Sequence, residues 1–249
     1  PELSQAGRTI LVTGGAGGIG LATARSFAQA GASRIVIISR RAEKLADAKK
    51  ELEALNASSI EVVTYSCDIA DMVEVQRVWD DLNAEDISVD VLVLNAAAVC
   101  TLPQGLAEDD LVAKVWSTFE TNVRSALQMT DIFLKQGSKK GKVRSHLAIL
   151  NASATHLSPI RTVQLGYAAS KTGLGSLMQG FADALDPEEC QIINFHPGSV
   201  KSEAVMKSKW ANAPLAWNTD TLPSDFAVWS SSKEARFLHG RFVWCNWDI

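Results

Sequence analysis

Arg8-Thr9-Ile10-Leu11-Val12-Thr13-Gly14-Gly15-Ala16-Gly17-Gly18-Ile19-Gly20 decides how this chain is built. Its first six residues are a short, largely β-branched and apolar run, which reads as a buried strand. Leu21, Ala24 and Ala28 then recur at helical spacing to about Ala30, and Gly31 stops the helix. Strand, glycine-rich turn and helix, in that order, read as a dinucleotide-binding turn. Glycines let the main chain turn tightly and approach a pyrophosphate, and the free N–H groups of the helix N-terminus face that anion. Five glycines in seven positions allow two registers, Gly15-x-Gly17-x-x-Gly20 and Thr13-Gly14-x-x-x-Gly18-x-Gly20.

Downstream, Arg34 to Ser39 reads as a second buried strand, and its end bears on the cofactor. A carboxylate there would bond a ribose 2′-hydroxyl and repel a 2′-phosphate. The chain has Ser39-Arg40-Arg41 instead, and a hydroxyl with guanidinium forks suits a 2′-phosphate. NADP(H) is therefore the expected cofactor. A helix over about 42–56 and a strand over 60–66 lead to Cys67-Asp68-Ile69. Asp68 is placed either to accept from an adenine amino group or to cap the next helix. A helix over about 71–83 and a strand over 89–94 lead to Asn95-Ala96-Ala97-Ala98, whose small side chains let the backbone lie against a ring or ribose.

The pattern over about 108–136 reads as one long helix, with Asn122 inside it needing a local role for its side chain. A strand over 142–150 runs into Asn151-Ala152-Ser153-Ala154-Thr155-His156, so Ser153 stands at a strand's carboxyl end, where open α/β sheets bind ligands. Tyr167 and Lys171 lie four apart on one face of the next helix, which runs to about Leu185. A cation beside a phenol favours the phenolate, and a shift of about two units needs roughly 2.7 kcal/mol. A strand over 191–195 closes in His196-Pro197-Gly198, followed by an irregular stretch over about 199–223 that carries Trp210 and Trp217. A stretch of that length suggests a substrate-binding loop. A helix over 227–238 and a strand over 241–244 end the pattern. Strands and helices alternate with no linker or repeat, so residues 1–249 are expected to form one α/β domain. Its core would be a single doubly wound parallel sheet with helices on both faces.

Composition narrows the function. Of the 249 residues 47% are hydrophobic and 21% charged, enough apolar material for a real core. A net charge of -4 and a pI of about 5.6 argue against a nucleic-acid partner. No run of about 18 uncharged apolar residues predicts a membrane span, and no basic-then-apolar leader pattern is seen. Cys67, Cys100, Cys190 and Cys245 are scattered, which suits free thiols and a cytoplasmic location. The histidines at 146, 156, 196 and 239 lack ligand spacing, so no metal is expected.

Taken together, these motifs resemble the short-chain dehydrogenase/reductase family over nearly the whole chain. Thr13-Gly14-x-x-x-Gly18-x-Gly20 is similar to its glycine motif and selects the second register. Leu94-Asn95-Ala96-Ala97 resembles its Asn-Asn-Ala-Gly turn, with Leu94 and Ala97 as departures. Tyr167-x-x-x-Lys171 and Pro197-Gly198-x-Val200 resemble its catalytic pair and its nicotinamide turn. The C-terminal Phe226-Ala227-Val228-Trp229 and Gly240-Arg241-Phe242-Val243-Trp244 are similar to fungal members.

The resemblance implies a Rossmann-type fold and hydride transfer between NADP(H) and a carbonyl or alcohol; a pocket edged by Trp and apolar residues would suit a hydrophobic carbonyl compound. It implies a tetrad of Asn122, Ser153, Tyr167 and Lys171, with Thr155 as a competing hydroxyl. Tyr167 would be the general acid, Ser153 the donor to the substrate oxygen, and Asn122 the holder of a water. Lys171 would lower the phenol pKa and hold the ribose. Thr13, Gly14, Gly18, Ile19, Gly20, Ser39, Arg40, Arg41, Asp68, Ile69, Asn95, Ala96, Pro197, Gly198, Val200 and Ser202 would line the cofactor site. His156, Leu157, Arg161, Trp210 and Trp217 are candidate pocket residues. The family commonly forms homodimers or homotetramers through two long helices. An epimerase or dehydratase on the same fold, and a non-catalytic NADP-binding regulator, are the alternative expectations.

Overall fold

A computed structural model describes residues 3–55, 60–99, 105–107, 109–136, 147–152, 164–206, 211–212, 214 and 216–247. Seven strands form one parallel sheet: β1 (Thr9–Thr13), β2 (Arg34–Ser39), β3 (Glu61–Ser66), β4 (Val91–Leu94), β5 (Leu147–Ala152), β6 (Cys190–His196) and β7 (Phe242–Trp244). Their spatial order is β3-β2-β1-β4-β5-β6-β7. The chain moves outward from β1 to β3, returns to the other side of β1 for β4, and then continues outward. The carboxyl ends of β1 and β4 therefore flank the point where the order reverses, and a crevice opens there.

Helices cover both faces. Ile10 and Val12 of β1 point one way, into a core with Phe27 of α1 (Gly18–Gln29), Leu45 and Leu52 of α2 (Ala42–Leu55), and Phe195. Leu11 of β1 points the other way and packs with Val75 and Trp79 of α3 (Met72–Ala84), as well as Leu92. Period-two alternation thus buries both faces of a strand that reads as continuously apolar. Asp71 caps α3, its carboxylate accepting from the N–H groups of Val73 at 2.8 Å and Glu74 at 3.1 Å.

Two elements depart from the sequence expectation. The long helix over 108–136 is interrupted: α4 (Leu111–Phe119) and α5 (Ser125–Lys135) are joined by a π turn, Glu120–Arg124. Its wider bond runs from the Ser125 N–H to the Glu120 carbonyl. Apolar periodicity tolerates one such turn, so the pattern alone reads as continuous. Near the C-terminus, α6 (Leu165–Asp183) and α7 (Glu203–Met206) precede α8, which spans Thr221–Ser230 rather than starting at 227. Pro223 sits in its first turn, where a missing N–H leaves no helix bond unmade. A 3-10 segment, Lys233–Leu238, replaces the rest of the expected helix.

Candidate active site

A crevice of about 470 Å³ lies along the carboxyl ends of β1 to β4. Gly14, Gly17, Gly18 and Ile19 wall one side, Ser39, Arg40 and Arg41 lie beyond β2, and Asp68 and Ile69 lie beyond β3. Asn95 and Ala96 beyond β4, with Ser202, complete it. Nearly every cofactor residue expected from the first four strands therefore lines one space. The exceptions, Thr13 and Gly20, shape its wall from behind.

Missing side chains determine that shape. A Cβ on Gly20 would stand 2.3 Å from the Gly14 carbonyl oxygen and 2.6 Å from Asn95 Nδ2. One on Gly15 would stand 2.5 Å from a methyl of Ile37. Gly14 and Gly18 have φ of 69° and 54°, whereas Gly17 is extended with open space beside it. These constraints favour the register of Gly14, Gly18 and Gly20 over the one that relies on Gly17. The Thr13 hydroxyl ties the two flanking strand ends together. It donates to Val93 O at 3.2 Å and accepts the N–H groups of Asn95 and Ala96, both at 3.0 Å. Asn95 Nδ2 returns a bond to Thr13 O at 2.9 Å.

The crevice carries the donors that a dinucleotide phosphate needs. The α1 N-terminus opens directly behind the glycine turn, and two exposed guanidinium groups stand at the far end. Arg40 lies 4.0 Å from Asp68, an exposed contact worth under about 1 kcal/mol that leaves the guanidinium available to an anion.

On the other side of the sheet's switch point, α6 presents Tyr167 half-buried and Lys171 only 2% exposed. Burial pushes the Lys171 ammonium down to about 8. The π turn places Asn122 between the β4 loop and α6. Its Oδ1 accepts the Ala98 N–H at 2.7 Å, and its Nδ2 donates to Ala98 O at 3.0 Å and to Ser170 Oγ at 2.9 Å. Ser170 Oγ in turn donates to the Tyr167 carbonyl at 2.9 Å. The carboxamide that was expected to hold a water is thus largely committed to protein, with one lone pair of Oδ1 left over. Ser153, Thr155, His156, Leu157, Arg161 and Trp210 lie outside the described residues.

The short chain dehydrogenase family model matches residues 8–213 of this chain. The chain belongs to that family. It is 33% identical over 247 residues to the short chain dehydrogenase/reductase nsrO of Aspergillus novofumigatus, covering 98% of this chain and 81% of that one. It is likewise 33% identical, with the same coverage, to the short chain dehydrogenase/reductase AacuD of Aspergillus aculeatus. Among solved structures, a Pseudomonas aeruginosa RhlG/NADP complex superposes with a TM-score of 0.83 at 23% identity, covering 98% and 96% of the two chains. A 7α-hydroxysteroid dehydrogenase complexed with NADH and 7-oxo glycochenodeoxycholic acid gives 0.82 at 21%, covering 98% and 94%. At those identities the neighbours establish the fold, and one carries NADP where the other carries NADH.

Within this short-chain dehydrogenase the third candidate group, Pro197, Gly198 and Val200, leaves the end of β6. Gly198 has φ 76°, and Val200 pairs with Asn218 in an isolated bridge. Ser202 caps the short α7, its Oγ accepting the Val205 N–H at 3.4 Å, and its Cβ lies beside Gly18. Trp217 is half-buried with the Lys201 ammonium 5.3 Å from its ring centre.

Three residues around the site escape a sequence reading. Ser170 sits beside Lys171 and its position was the available signal, since a mid-helix serine needs a local partner. His196 precedes the proline directly. Asn218 has no local signal, because its partners lie some 19 residues away.

Proposed function

We propose that this protein is an NADP(H)-dependent carbonyl reductase acting on a hydrophobic small molecule. The observation that carries the cofactor choice is the β2 end of the crevice, where Ser39, Arg40 and Arg41 stand and no carboxylate follows the strand. When bound, the nicotinamide supplies hydride at its C4. Tyr167 donates a proton to the substrate oxygen. Ser153, with Thr155 as the alternative, donates a hydrogen bond to the same oxygen as charge develops there. Lys171 holds the ribose hydroxyls and favours the phenolate of Tyr167. A lysine brought to about 8 by burial populates both protonation states near neutrality, which suits a group that passes protons to the phenol. Asn122 braces the β4 loop against α6 and keeps a lone pair for the relay water.

The exposed Val99 directly beyond Ala98, together with Trp217, supports an apolar substrate. Residues 199–223 supply its loop within a single domain over 1–249. The apolar side chains of Val112 and Trp116 stand exposed on α4, which supports a homodimer or homotetramer. A cytoplasmic setting is part of the same proposal. The test is NADPH consumption against a panel of hydrophobic ketones, with NADH and Tyr167→Phe as controls. Turnover is expected with NADPH above NADH, and none with Tyr167→Phe despite retained cofactor binding. Equal use of NADH, or full activity of Tyr167→Phe, would overturn the proposal.

A further inference from the structure

The turn Pro197–Val200 is held by side chains from two sides. His196, the last residue of β6, accepts the Gly198 N–H on Nδ1 at 3.0 Å. Its ring lies flat on Trp244 of β7, with centroids 4.0 Å apart and planes within 9°. The main chain is pinned as well, since His196 O accepts the Cys245 N–H at 3.1 Å. Burial pushes the imidazole down to about 4, so at neutral pH it is uncharged, with its proton on Nε2 and Nδ1 free to accept.

From the opposite side, Asn218 Oδ1 accepts the Ser199 N–H at 3.1 Å, and the Asn218 N–H donates to Ser199 O at 2.7 Å. The same oxygen occupies the space a Gly198 Cβ would need, 2.4 Å from its ideal position. Two successive N–H groups at the end of β6 are thus taken by side chains instead of a neighbouring strand.

Resting on the cofactor reading above, we propose that His196 and Asn218 are positioning residues for the nicotinamide end of the cofactor. Together they fix the turn that faces the nicotinamide, and Asn218 makes that geometry depend on how the segment before α8 is seated. A turn set before binding spares the cofactor the cost of ordering it.

Four variants separate the clamps from general stability. His196→Phe keeps a ring on Trp244 and loses the acceptor; His196→Asn keeps an acceptor near Nδ1 and loses the stack. Asn218→Ala loses its acceptor and Asn218→Asp keeps one. Each full-length protein is titrated with NADPH and with 2′-phosphoadenosine diphosphate ribose, the same molecule without nicotinamide. His196→Phe and Asn218→Ala are expected to weaken NADPH about tenfold, the size of one lost hydrogen bond, and to leave the nicotinamide-free ligand unchanged. His196→Asn and Asn218→Asp should stay within about threefold of the parent for both ligands. Equal weakening of both ligands, or of neither, overturns the inference. If the parent protein binds neither ligand, the cofactor reading itself fails and takes this inference with it. Asn218 lies outside the sheet, so its pair decides the matter should His196→Phe not fold.

Discussion

The turns that follow β1 and β6 are built in opposite ways. The turn after β1 takes its shape from side chains that are absent, with Gly14, Gly15 and Gly20 admitting main chain and methyl groups into space a Cβ would fill. Its polar organisers are Thr13, which belongs to the motif itself, and Asn95 beyond β4, whose Nδ2 donates to Thr13 O. The turn after β6 takes its shape from side chains that are present: His196 braced by Trp244, and Asn218 reaching in from the segment before α8. Around β5 and β6 the interior holds Asn122, Asn151, Ser170, Lys171, Gln191 and Asn194, all nearly inaccessible. Asn151 donates to Asn194 across the strand pair at 2.9 Å, leaving Asn151 Oδ1 without a partner among the described residues. A turn made by absence tolerates no added atom at its crowded positions, Gly15 and Gly20, whereas the turn made by contacts depends on His196 and Asn218 holding it.

The largest effect should come from adding one carbon to the first turn. Gly20→Ala is expected to abolish cofactor binding, a loss above about 100-fold, and to cost about 1–3 kcal/mol of stability as overpacking. Gly17→Ala, with open space beside it, should change stability by less than about 0.5 kcal/mol. Thermal melting and NADPH titration of the two variants check both, and equal effects would erase the distinction between constrained and unconstrained glycines.

Second in size is the effect of the buried Lys171 cation. Lys171 falls from 10.5 to about 8 through burial, which corresponds to at most about 3 kcal/mol spent on its charge at neutral pH. Between those two values the unfolded chain holds the proton and the folded chain does not, so stability rises with pH across that window. Lys171→Met should therefore gain stability relative to the parent as pH falls from about 10.5 to about 8, and its turnover should be lost. Denaturant melts at pH 7 and 9.5 measure this, and a gain that grows with pH would contradict it.

Gly198→Ala comes next. A positive φ costs a substituted residue about 1–2 kcal/mol, and the new methyl must also displace Asn218. NADPH affinity should fall about tenfold. Asn218→Ala in the same chain should remove part of the penalty, which would tie the two residues together.

Smallest is the acid limb at His196. Its folded value of about 4 lies below the ordinary 6.5, so the stability of the neutral ring is complete above pH 6.5 and drains as pH falls toward 4. The loss should stay under about 2 kcal/mol given the partial solvent exposure of the ring. Denaturation midpoints at pH 7 and 4.5 should converge for His196→Phe relative to the parent.

How much of this was written locally differs between the two turns. Strand β1, the glycine turn and α1 could be read directly, because their signals, the β-branched run, the glycine spacing and the helical apolar period, each lie within a few positions. The acid-free end of β2 and the Tyr167–Lys171 spacing were equally local. The π turn was not, since hydrophobic periodicity barely registers one extra residue per turn, and the bond that exploits it joins Asn122 to Ala98 and Ser170. The start of α8 was missed because a proline reads as a break unless its place in the first turn is known.

The sequence by itself determined the alternating α/β pattern, the glycine register once the family resemblance was recognised, and which side chains carry the candidate chemistry. Only the tertiary structure decided how the second turn is held, how deeply Lys171 is buried, and that the Asn122 carboxamide serves as a brace. The physical reason is the range of the forces involved. Backbone sterics and strand periodicity act over a few residues, while desolvation and the satisfaction of buried polar groups depend on every element packed around them.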